Sequence, residues 1–321
     1  MPEASERSSN GPGAAGVLGR GPLLRRSSRP FAGELPPELL LVGAGLSVQV
    51  GASVATGLLR DHSAITLVAV RLLFGMLLLL AFRRPSLAMA RPGAWRSAAI
   101  LGLIFVAMNT SFYGAIARIP LGVAVTLEFW GPLAVAVLGS RRIRDLAWAV
   151  LAAIGIYVLA GGQIVADDVI GVAAALAAGL CWAAYILVGP RLGRDWPDGR
   201  GLAAALLAGS LVAVPLAALT GGAGGPGLDA GLVVGGLLIA GFSSALPWSL
   251  ELAALRRMRA ATYGVFMSLE PAIAAVVGFL LLGQQLAPVD LAAIGLVVVA
   301  SAGASLTARR LTVTPGELEA G

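Results

Sequence analysis

The sequence predicts an all-α polytopic membrane protein, with ten transmembrane helices arranged as two inverted five-helix repeats. Three observations lead there. The 321 residues are 58% hydrophobic and only 12% charged, with a mean hydropathy of +0.87. Ten apolar runs are each long enough to cross a bilayer, which takes about 20 helical residues. A pattern in the first half of the chain, Leu151-Ala152-Ala153-Ile154-Gly155, returns in the second as Leu291-Ala292-Ala293-Ile294-Gly295.

A soluble domain carries roughly 25% charged residues. A chain with half of that cannot cover a water-facing surface, so a cytosolic enzyme, a secreted scaffold and a disordered protein are excluded together. The single cysteine, Cys181, leaves no disulfide or thiolate metal site within one chain. Continuous apolar runs, rather than polar–apolar alternation, argue for helices over a barrel.

Residues 1–36 are rich in Arg, Ser, Gly and Pro without apolar periodicity, and read as a disordered cytoplasmic tail. The spans follow at approximately 38–58, 64–82, 96–116, 121–139, 146–162, 169–189, 202–220, 231–253, 262–282 and 288–307. Short connections make neighbours antiparallel. Leu146-Ala147 also returns as Leu286-Ala287, and Pro132 returns within one residue as Pro271. These matches divide the chain into a first repeat at 37–163, a second at 164–308 and a cytoplasmic tail at 309–321. With five helices in each half, the second must cross the membrane upside down. Inverted repeats of this kind build transporters with a site between the halves.

Arginine placement sets the orientation. All 23 basic residues are arginine. With the amino-terminal tail inside, only Arg60 and Arg118 fall outside and Arg71 falls within a span; the other twenty lie on the inner face. The positive-inside rule therefore puts both termini in the cytoplasm. The net charge of +6 and pI near 10.6 follow from topology, and no nucleic-acid partner is needed to explain them.

The informative charges are those in mid-membrane, where each costs about 2.5–3.5 kcal/mol to insert. Arg71, Glu128 and Glu270 lie near span centres. Glu251 sits near the inner end of the eighth span, where pairing with Arg256 or Arg257 is the simpler role. Glu128 and Glu270 stand just before the repeat-related prolines, and a proline within a membrane helix frees a backbone carbonyl that needs a polar partner. Two readings remain open. Arg71 and one glutamate form a buried pair that fixes packing. Alternatively they line a site for a zwitterion, Arg71 meeting a carboxylate and a glutamate meeting the amine, with Glu270 and Glu128 as candidate proton carriers. Asn109 and Tyr113 share a face of the third span, and Gln49, Thr110, Trp130, Tyr185, Trp248 and Tyr263 are further polar side chains within spans. Singly, each suits interhelical hydrogen bonding; Trp182 suits packing or lining equally. Small residues along the tenth span (Gly295, Ser301, Gly303, Ser305) allow close helix approach or a homodimer.

A chain without lysine has no Walker A motif, so ATP does not drive it directly. There is no zinc motif, and neither cofactor nor metal is expected. His62, in a short loop, reads as a polar loop residue. An intramembrane enzyme would need clustered aspartates or histidines at mid-depth, which are missing.

Several segments carry a family resemblance: Met-Asn-Thr-Ser-Phe-Tyr at 108–113, Pro-Leu-Gly-Val-Ala-Val at 120–125, and Leu-Glu-Phe-Trp-Gly-Pro-Leu-Ala-Val-Ala at 127–136. Ser-Arg-Arg at 140–142, Ala-Leu-Pro-Trp-Ser-Leu-Glu at 245–251 and Met-Ser-Leu-Glu-Pro-Ala at 267–272 add to these. Across about 38–307 the chain resembles the drug/metabolite transporter superfamily in its EamA branch, and within it the bacterial threonine/homoserine exporters. The resemblance implies proton-driven export of small amino acids across the bacterial inner membrane. It implies a cavity lined mainly by spans 1, 3, 4, 6, 8 and 9, with Glu128, Asn109, Glu251 and Glu270 as matching site positions. Trp130 and Trp248 would narrow it for a small polar substrate; an aromatic amino acid, another metabolite or a cationic drug would need an open apolar slot. Gln284 departs from the pattern, standing where the family usually carries a glutamate.

Overall fold

The structure, a computed structural model, describes residues 35–83, 93–138, 143–161, 168–196, 201–220, 229–255, 257 and 266–309. Among them every regular element is helical. In chain order these are α1 (Pro37–Leu58), α2 (Ala64–Arg83), α3 (Ala94–Ile116), α4 (Leu121–Glu128), α5 (Trp130–Leu138) and α6 (Ile143–Gly161). There follow α7 (Val169–Asp195), α8 (Gly201–Thr220), α9 (Ala230–Ala240), α10 (Leu246–Leu255), α11 (Glu270–Leu282) and α12 (Pro288–Arg309). Among the described residues five helices, those starting at Pro37, Ala64, Ala94, Val169 and Gly201, are long and apolar enough to cross a membrane, and shorter apolar helices accompany them. Both tails, apart from the residues next to α1 and α12, lie outside the described residues, as do Arg256 and Tyr263.

The helix starts follow from local chemistry. Pro37 opens α1, where its missing N–H is one no helix uses. Asp168 and Asp229 cap α7 and α9, accepting from the N–H groups of Gly171 at 2.8 Å and Leu232 at 2.7 Å. Asp229 also faces His62 Nε2 at 3.6 Å. Asp168 further accepts from Arg118 Nε at 2.8 and 2.9 Å, tying the loop after α3 to the start of α7.

Two of the expected spans are interrupted. Between α4 and α5 a single residue, Phe129, leaves the helical assignment. Between α9 and α10 lies a π-helical turn, Gly241–Ala245. The prolines also act differently from expectation. Pro132 and Pro271 fall in the first turns of α5 and α11, rather than in the middle of continuous helices. A first turn is where proline's fixed φ is pre-organised. The glutamates accordingly sit at helix junctions: Glu128 ends α4 and Glu270 begins α11.

Small residues let the helices approach closely, as lipid-embedded packing requires. Helix α3 packs on α7 and α8, α2 on α8 and α9, α1 on α10 and α11, and α6 on α12. At Gly102 a side chain would stand 2.6 Å from the Gly209 nitrogen, and at Gly131 it would enter the Gly179 backbone. Gly303 of the small-residue stripe in α12 is used inside the chain, against the Trp148 ring, whereas Gly295 faces nothing within 4 Å.

Candidate substrate-binding site

The π-turn is the local feature from which the site grows. Pro247 has no N–H, and the Leu246 N–H bonds the Gly241 carbonyl instead of the Phe242 carbonyl one helical turn back. The carbonyls of Phe242 and Ser243 therefore lose their ordinary helical donors. Side chains from two other helices replace them. Ser47 Oγ on α1 donates to Phe242 O at 2.6 Å, and Arg71 Nη2 on α2 donates to Ser243 O at 3.1 Å.

Arg71 is held a second time. Its Nη1 donates to the Tyr113 hydroxyl at 3.2 Å, and its guanidinium carbon lies 5.9 Å from the centroid of that ring, within cation–π reach. No carboxylate among the described residues forms an ion pair with it. The packing-pair reading of Arg71 is thus not what the structure shows. Its charge is positioned by neutral groups and faces an internal cavity.

That cavity, of about 210 Å³, is lined by Val48 and Gln49 of α1, Arg71 and Leu72 of α2, and Phe105, Met108, Asn109 and Phe112 of α3. Val125 and Glu128 of α4, Trp182 and Tyr185 of α7, and Leu206 of α8 continue the wall. Ser243, Ser244, Glu251, Met267 and Glu270 close it. One guanidinium and three carboxyl groups therefore share one small space, with Glu128 and Glu270 both buried. The Asn109 amide donates to Phe105 O at 2.7 Å within α3, which leaves its Oδ1 and one hydrogen for a ligand.

The remaining sequence candidates divide. Tyr113 is fully buried behind Arg71 and positions it without lining the cavity. Trp130 does not line it either: its indole N–H donates to Leu176 O at 2.9 Å and fastens α5 to α7. The narrowing role falls to Trp182, braced edge-on by Phe129 at 5.4 Å, and to Tyr185, stacked beside Phe105 at 5.6 Å. Glu251, for which boundary pairing is the simpler sequence reading, is a wall of the chamber. The side chain of Trp248 lies outside the described residues. Gln49, Tyr185, Ser243 and Ser244 are polar lining residues that sequence reasoning did not single out as site residues. Gln49 is visible in the sequence as a polar residue in an apolar run, but nothing in the serines forecasts a π-turn. Gln284 also finds a role. Its Oε1 accepts from Leu121 N at 2.9 Å, capping the helix that carries Glu128.

A bundle of apolar helices around a charged internal chamber defines a class, the multi-pass membrane transporters. The comparisons narrow it. Residues 169–306 match the model of the EamA-like transporter family. The threonine/homoserine exporter RhtA of Escherichia coli (strain K12) is 42% identical over 276 residues, covering 85% of this chain and 92% of that protein. The exporter of the same name from Salmonella typhimurium (strain SL1344) is 40% identical over 280 residues with the same coverage. A solved crystal structure at 18% identity superposes with a TM-score of 0.58 over 85% of this chain and 99% of the other, a likeness of fold alone. This chain belongs to the EamA-like transporter family, and it is a transporter rather than an enzyme.

Proposed function

We propose that the protein exports small amino acids of the threonine and homoserine type by proton-coupled alternating access. The observation that carries this reading is the chamber itself, which sets a cation, Arg71, and three carboxyl groups around about 210 Å³ of space. A zwitterion needs both signs of charge within its own length. The volume lies below the roughly 300–1,000 Å³ of sites for drug-sized ligands, which favours a small solute. The names of the relatives in Escherichia coli and Salmonella support the same substrate class.

Arg71 binds the substrate carboxylate, and Glu128, Glu251 or Glu270 meets its ammonium group. Glu270 and Glu128 carry the coupled proton, since a carboxyl enclosed among apolar helices can be present neutral or charged depending on what shares the chamber. Ten spans in two inverted repeats, 37–163 and 164–308, with both termini cytoplasmic, supply the rocking halves that open the chamber to either side.

The test is counterflow and proton-driven transport in proteoliposomes, with labelled threonine, homoserine, phenylalanine and a quaternary ammonium dye. Threonine and homoserine are expected to exchange, with a pH gradient driving net flux. A strong dye signal without threonine or homoserine would overturn the reading. Phenylalanine is the alternative with structural grounds, because Phe105, Phe112, Trp182 and Tyr185 form an aromatic part of the wall.

A further inference from the structure

Gln49 sits near the middle of α1, only 2% exposed, and its side chain lines the chamber. Its Oε1 is fully buried, and no described residue hydrogen-bonds the terminal amide. Buried amides are nearly always paired, so an unpaired one at the wall of a binding chamber marks a position that a ligand completes. The hydroxyl of Ser53, one turn along α1, is turned to the Gln49 backbone carbonyl at 2.9 Å and not to its amide.

We infer that Gln49 is the specificity residue that recognises the side-chain hydroxyl of the substrate. The inference rests on the amino-acid reading above and assigns the one substrate group that reading leaves unmatched. Arg71 and the carboxyl groups account for the charges common to every amino acid. What separates threonine and homoserine from apolar amino acids of similar size is an aliphatic hydroxyl, which both donates and accepts. A primary amide has donors for the hydroxyl oxygen, and the Gln49 Oε1, buried as it stands, becomes an acceptor for it when the amide turns toward the chamber. A substrate lacking the hydroxyl leaves the amide unpaired, and a site built for a hydroxyl discriminates strongly for that reason.

The experiment measures counterflow of threonine and of 2-aminobutyrate, its analogue without the hydroxyl, by wild-type and Gln49→Met protein in liposomes. Wild-type protein is expected to prefer threonine by about tenfold or more, the equivalent of one ordinary net hydrogen bond. In Gln49→Met the ratio falls to near unity because threonine transport drops while 2-aminobutyrate transport persists. Equal transport of the two solutes by wild-type protein overturns the inference without recourse to any variant, as does an unchanged ratio in Gln49→Met. In either case the amino-acid reading survives. Absence of any amino-acid counterflow by wild-type protein overturns both.

Discussion

Arg71 shows how much a single side chain decides here. A guanidinium has five donors, and two different N–H groups are spent on Tyr113 and Ser243, which fixes the plane of the fork without neutralising it. Arg71→Lys keeps the charge but cannot hold both partners, so substrate is expected to bind about 10- to 100-fold more weakly, the range of a hydrogen bond to a charged group. The apparent affinity in counterflow reads this out, and an unchanged value would show that the carboxylate is bound elsewhere. Glu270→Gln conserves shape and removes the titrating group. The protein is expected to reach the membrane and exchange substrate while proton-driven net transport is abolished. Full net transport by that variant would take Glu270 out of the mechanism.

At the scale of the element, the site depends on junctions. The α4–α5 junction lies against α7: at Gly179 a side chain would stand 2.5 Å from the Glu128 carbonyl, the one that Pro132 leaves without its usual donor. Gly131→Ala drives a methyl into the Gly179 backbone and is expected to cost about 1–3 kcal/mol as overpacking. Thermal unfolding in detergent measures it, and Ala at the open position Gly295 is the matched control. The start of α4 depends on Gln284, brought into place by Gly283, whose φ of 65° ends α11 in the left-handed region. Gln284→Ala is expected to lose about 1 kcal/mol of cap stabilisation, whereas Gln284→Glu keeps the acceptor and most of the stability.

For the whole molecule, the Arg118–Asp168 bond joins the end of α3 to the start of α7, two helices that pack along their length. The Arg118 guanidinium, followed by the Gly171 N–H, holds the Asp168 carboxyl below its usual range. A carboxyl whose pKa is lowered by folding contributes its stabilisation fully above the unfolded value, about 3.9, and loses it as pH falls through the lowered folded value. Unfolding temperature is therefore expected to be insensitive to this pair between neutral pH and about 4 and to fall below that. Asp168→Asn, which retains the helix cap, is expected to remove that part of the acid limb. An identical acid profile in the variant would assign the acid sensitivity to other groups.

Much of this was legible in the residues themselves. Long apolar runs gave helix positions within a few residues for most elements, because a backbone in lipid has no alternative to internal hydrogen bonding. Burial cost alone drew attention to Arg71, Glu128 and Glu270, since a charge in such a run demands a reason. Three-dimensional packing decided the rest. Trp130 and Trp182 are equally aromatic, and only their neighbours make one a fastener and the other a wall. Glu251 near a helix end reads as a boundary charge until the turns of α9 and α10 are set in space. The pairing of Arg71 with a serine carbonyl depends on a π-turn that frees that carbonyl, and on an α2 that runs beside it. Composition and apolar run length suffice to make this a helical membrane protein and to single out the few charges that must matter. That those charges share one chamber with an unpaired Gln49 follows from helix packing, because which side chains meet depends on how the helices cross.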